Sequence, residues 1–84
     1  MTPQHDNLIR MANRIGDFFA AQPDREAALA GVAEHIRNFW DPRMRAAMRA
    51  FLETHPDGVG AGACLNAITL EALQRHGDAL LPRE

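Results

Sequence analysis

Residues 39–48 read FWDPRMRAAM, and the first seven of them hold two large aromatics, an Asp-Pro pair and two arginines. Asp41-Pro42 has the form of a helix start. The aspartate can accept from a backbone N–H of the first turn, and proline suits the first helical position because its fixed φ is already helical and its missing N–H is not needed there. The same proline disfavours helical geometry in the residue before it. One helix therefore ends near Trp40 and another begins at Pro42. The only tryptophan of the chain sits at that corner, which could serve as a hinge, as a surface for another protein or as the lip of a site.

Upstream of the corner, Leu29, Val32, Ala33, Ile36, Phe39 and Trp40 recur at three- and four-residue steps, the period of a helix with one buried stripe. Pro23, Asp24 and Glu26 fit its start, with negative charge at the positive end of the helix dipole. Before Gln22-Pro23 lies an earlier stripe of Leu8, Met11, Ala12, Ile15, Phe18 and Phe19, opened by Thr2-Pro3. Downstream, Met44, Ala47, Met48, Phe51 and Leu52 form a third stripe, closed by His55-Pro56-Asp57-Gly58. Residues 57–63 carry three glycines and no periodicity, so a mobile loop is expected. A weaker fourth stripe follows in Leu65, Ile68, Thr69, Ala72 and Leu73, with Gly77 placed to break it. No stretch alternates with the period of a half-buried strand. The expectation is a single all-α domain over 1–84: three firm helices at about 3–21, 23–40 and 42–55, and a loosely attached one at 64–76.

At 84 residues there is room for one core only. All nine basic residues are arginine and the net charge is −2, which argues against a nucleic-acid-binding domain with a clustered cationic face. Cys64, the single cysteine, has no partner for an internal disulfide, so a reducing compartment is expected. MTPQHDN lacks the basic and apolar regions of a secretory leader, and no apolar run approaches the roughly 20 residues that span a bilayer. A cytoplasmic protein without membrane contact is expected.

The first stripe is wider than folding against one neighbour requires. Its nonpolar arc runs from Phe18 through Leu8 and Ile15 to Ile9, Gly16 and Ala20, roughly 200° where about 100° would do. Ala12, Gly16 and Ala20 leave a shallow strip for close backbone approach. This helix is expected to touch more than one neighbour, either inside the bundle or on another chain.

Chemistry-bearing constellations are weak. His5, His35, His55 and His76 show no i, i+4 pairing that would place two metal ligands on one helix face. Cys64 follows a glycine-rich loop with no base fixed beside it. GVGAGA, residues 58–63, follows no strand and the chain contains no lysine, so it lacks the context of a phosphate-cradling loop. Asp41, Arg45, Arg49 and Glu53, four apart, read as a self-neutralising ladder on a solvated face. Arg43 has no acid three or four positions away and follows Trp40 by three, so it could stack on the indole or reach a carboxylate elsewhere. Trp and Arg are enriched where binding energy concentrates. Phe39 and Trp40 are expected to close the core at the corner.

MANRIGDFFAAQP (Met11–Pro23), DREAALAGVAEHIRNFWDPRM (Asp24–Met44) and the arginine-rich turn after them resemble the delta subunit of the cytoplasmic, molybdenum-containing, NAD-dependent formate dehydrogenases. The resemblance covers roughly residues 7–53. It implies a small noncatalytic accessory subunit, without cofactors of its own, that docks on the large catalytic subunit of an enzyme holding a molybdenum centre, iron–sulfur clusters and FMN. Support of assembly or stability is the implied role, and transient service as a maturation factor during cofactor insertion is the alternative. A helix-turn-helix regulator is a third reading, against which the negative charge counts. No catalytic set carries over. Asn13, Phe18, Phe19, Phe39, Trp40, Asp41, Pro42 and Arg43 stand at matched positions and are the candidate scaffold and partner-contact residues. Without its partner, a chain with a surplus apolar surface is expected to be able to form a homodimer.

Overall fold

The computed structural model describes residues 4–81, with the side chains of Gln4 and His5 left out; the Thr2-Pro3 cap expected for the first helix lies outside the described residues. Four α-helices follow one another: α1 (Gln4–Phe19), α2 (Arg25–Phe39), α3 (Pro42–Thr54) and α4 (Ala67–Arg75), with a short 3-10 helix at Gly77–Leu80. The all-α expectation holds. Among the described residues the sole strand-like pairing is an isolated antiparallel bridge, Val59 with Cys64.

Capping chemistry sets the boundaries. Asp24, not Pro23, is the cap of α2, its side chain accepting from Glu26 N–H, so the helix starts at Arg25. Asp41 accepts from Met44 N–H with Pro42 at the head of α3, as the Asp-Pro pair implies. Asn66 accepts from Thr69 N–H and delays α4 to Ala67.

The core gathers one stripe from each helix. Ile9 and Ala12 from α1, Leu29, Val32 and Ile36 from α2, Met48 and Phe51 from α3, and Ala72 and Leu73 from α4 are buried, and Leu80 of the 3-10 helix joins them. The fourth helix packs on both α1 and α2, with Thr69 and Ala72 completely buried. The glycine segment is pinned by backbone hydrogen bonds. Gly58, at φ 76°, a conformation costly for residues with a Cβ, turns the chain; its carbonyl accepts from Leu65 N–H, and Gly60 N–H donates to Ala63 O. Asp6 of α1 reaches the tip, accepting from Gly62 N–H at 3.3 Å.

Helix α1 divides its wide arc between two uses. The strip of Ala12 and Gly16 is covered from within the chain: a Cβ added at Gly16 would collide with Thr69 Oγ1 of α4. Small residues on α1 thus let the head of α4 approach closely. Asn13 fastens the same junction, donating from Nδ2 to Cys64 O and accepting from Asn66 N–H, both at 2.9 Å. The opposite edge of α1 has no such cover.

The corner also departs from expectation. Trp40 is buried and closes the core, whereas its neighbour Phe39 is 73% exposed. Trp40 follows the last helical residue with extended backbone, φ −82° and ψ 139°, and its ring is buried while that of Phe39 stays at the surface. The charge ladder on α3 is absent. Arg45 is 4% exposed, donating from Nε to Trp40 O and from Nη1 to Leu81 O. It ties the end of α2 to the end of the 3-10 helix, and no described carboxylate pairs with it.

Candidate functional site: an aromatic shelf over α1 and α2

Of the described residues, Phe18 and Phe39 are the large apolar side chains most exposed to water, at 74% and 73%. They lie on one face. Phe18 meets Phe19 edge-on, with ring centroids 5.0 Å apart; Phe19 approaches His35 at 6.4 Å, and His35 lies 4.6 Å from Phe39. Four rings thus form a row from the end of α1 across to the end of α2. Phe19 can lie flat because α2 offers Gly31 beneath it, where an added Cβ would stand 2.6 Å from the ring.

The row borders two adjacent hollows. One, of about 270 Å³, is lined by Arg14, Ile15, Phe18, Phe19 and His35. The other, of about 360 Å³, shares Arg14, Ile15 and His35 with it and adds Met11, Phe39, Trp40 and Met44. Farther along, Asp41 and Arg43 line a third depression with Asn7, Leu8, Met44 and Ala47. The shelf therefore runs continuously from Phe18 to Arg43, floored by apolar groups of α1, α2 and α3.

Charge on this face is cationic at the rim. Arg14 and Arg43 are both exposed and neither forms an ion pair or hydrogen bond with a described residue. The carboxylate of Asp41 is already engaged in capping α3. Ion pairs of described residues lie elsewhere: Arg25 with Glu71 and Arg75 with Glu26 join α2 to α4, and Arg75 with Glu71 lies within α4. The hydrogen bond from Arg25, aided by the positive charge of Arg25 and Arg75, holds the Glu71 carboxyl below its ordinary pKa despite some opposing desolvation.

Seven of the eight sequence candidates lie along this shelf or its border. Phe18, Phe19, Phe39 and Trp40 line it, Asp41 and Arg43 line the neighbouring depression, and Pro42 stands exposed between them. Asn13 does not belong to it; its amide is used inside the chain at the α1–α4 junction. Arg43 makes no ring contact with Trp40 among the described residues. Sequence reading missed Met11, Arg14, Ile15, His35 and Met44 as shelf residues. The signal was there for one of them: His35 and Phe39 are four apart, which stacks their rings on one helix face.

Nothing in the arrangement has the form of a catalytic constellation. No group of three His, Cys, Asp or Glu among the described residues could hold a metal ion, and no described helix is long and apolar enough to cross a membrane. No curated protein and no solved structure matches the chain. A family model described as the NADH-dependent formate dehydrogenase delta subunit FdsD matches residues 7–73. That span extends past the corner through the pinned glycine segment and nearly to the end of α4, some 20 residues farther than the motifs of α1 to α3 alone. It includes the shelf, the α1–α4 junction and most of the core, and on that footing the chain belongs to the family of NADH-dependent formate dehydrogenase delta subunits.

Proposed function

We propose that this chain is a noncatalytic accessory subunit that docks through the aromatic shelf on the large catalytic subunit of a cytoplasmic NADH-dependent formate dehydrogenase and supports its assembly or stability. The observation that carries the reading is the pair Phe18 and Phe39, left about three-quarters exposed on a continuous apolar face of a small protein. Such a face is characteristic of an interaction site. Covering two phenylalanines fully would supply roughly 3–6 kcal/mol before the costs of association. Family membership names the enzyme to which the partner belongs.

The test is co-elution of the purified chain with the large catalytic subunit on gel filtration. Phe18→Ser with Phe39→Ser should abolish the shared peak while leaving the fold intact. A double variant that still co-elutes like the parent would remove the shelf from the reading. Trp40 is the wrong residue to probe, since it is buried and its loss would damage the core. Unit stoichiometry of the chain in purified active enzyme would mark a permanent subunit, and its loss during maturation would mark a transient factor.

A further inference from the structure

The shelf has a shape and a charge pattern that specify more than apolar cover. We propose that its occupant is an amphipathic α-helix of the partner subunit, with two apolar anchors on one face and carboxylates flanking them. This rests on the docking reading above and adds the chemistry of what docks.

The anchor count comes from the two hollows, of about 270 and 360 Å³, which share a wall formed by Arg14, Ile15 and His35. A shared wall makes the hollows neighbours, close enough for two side chains of one segment to enter them side by side. Along α1 the lining runs from Met11 to Phe18, seven residues, or roughly 10 Å at the rise of a helix. Apolar residues at i, i+3 or i+4, and i+7 of an incoming helix span the same length, and helix-in-groove recognition uses that spacing. An incoming strand would present an unpaired edge, and no described residue of the shelf belongs to a strand that could pair with it.

The charge argument selects the partner over a second copy. Arg14 borders both hollows with no carboxylate in either lining, and Arg43 borders the depression beside them together with Asp41, whose carboxylate caps α3 and keeps its charge. A two-fold dimer brings the same patch to itself. A two-fold contact across the hollows would set Arg14 against Arg14 of the second copy, repelling where a carboxylate of a hetero-partner attracts. Carboxylates one turn to either side of the anchors would satisfy both arginines, and Arg forms well-directed pairs with carboxylate. Rim charges act chiefly on association rate and salt dependence, and apolar anchors on dissociation.

These assignments separate in a binding experiment between the purified chain and the large catalytic subunit, followed in real time at low and high salt. Arg14→Glu with Arg43→Glu should slow association about tenfold and reverse the sign of the salt effect. Arg49→Glu, on another side of α3, should leave both unchanged. Phe18→Ser with Phe39→Ser should instead speed dissociation. If the phenylalanine pair matters and the arginine pair does not, the shelf is the docking surface but the acidic helix is refuted. If neither matters, the docking reading itself has failed. A photo-crosslinking residue placed at Met11 should attach to a helical segment of the large subunit bearing Asp or Glu within one turn of the attachment point. Attachment to a second copy of this chain, or to a segment without carboxylates, overturns the proposal.

Discussion

The two edges of α1 carry different side chains and meet opposite fates. On one edge Ala12 and Gly16 are sealed by α4, with Asn13 bonded on both sides of its amide. On the other, Met11 and Phe18 stand in water beside Phe39. The sealed edge uses small residues and directional hydrogen bonds to fix one internal neighbour at close range. The open edge uses large rings and leaves them uncovered. An 84-residue protein has little apolar surface to spare, so the difference separates what holds the bundle together from what the bundle offers outward.

The sharpest way to break this contrast is to fill the sealed edge. Gly16→Leu would drive a side chain into Thr69 and should destabilise the protein by about 3 kcal/mol, the upper part of the usual overpacking range, as measured by urea unfolding. An unchanged midpoint would mean that α4 is not seated on α1. Asn13→Ala should cost about 1 kcal/mol by the same measurement, since it removes the bonds to Cys64 O, which water can replace, and to the part-buried Asn66 N–H. On the open edge, Phe18→Ser and Phe39→Ser should each change stability by no more than about 0.5 kcal/mol while removing any self-association seen by analytical ultracentrifugation. A large loss of stability from either would show that the edge is internal after all.

The smallest effect belongs to the ion pairs that brace α2 against α4. Glu71 has a folded-state pKa below its ordinary value of 4.5, chiefly through its hydrogen bond from Arg25. A depressed carboxyl contributes stability that is fully present above its unfolded-state pKa and fades as pH falls through the folded-state value. Stability should therefore decline on acidification below about pH 4.5, and Glu71→Gln should flatten the part of that decline owed to this group. The groups are well exposed, so the difference will be slight; a steep loss in the variant would contradict the assignment.

Local chemistry was legible in the sequence; pairings between distant segments were not. Asp41-Pro42 marked the corner correctly because a cap and its proline act within four residues. Excess apolar arc on α1 was likewise visible as a quantity. Which part would be covered depended on Thr69, whose approach to Gly16 leaves no trace in the spacing of either segment. Arg45 shows the same limit. Four-residue spacing placed it with Asp41 and Arg49, but its actual acceptors are carbonyls of Trp40 and Leu81, the second remote along the chain. For Phe39 the spacing misled, because adjacent residues such as Ala28 and Leu29 do both reach the core, and only the tertiary position of the α2–α3 corner leaves Phe39 outside it.

Arg45 has one further consequence. Its guanidinium is a buried cation hooked to Leu81, so the residue that follows the 3-10 helix acts as a clasp on the elbow between α2 and α3. Proteolytic trimming that removes Leu81 would strand that cation and loosen a corner far away in the primary structure. A disturbance at Leu81 would thus be felt beside Phe39, at the rim of the proposed docking surface.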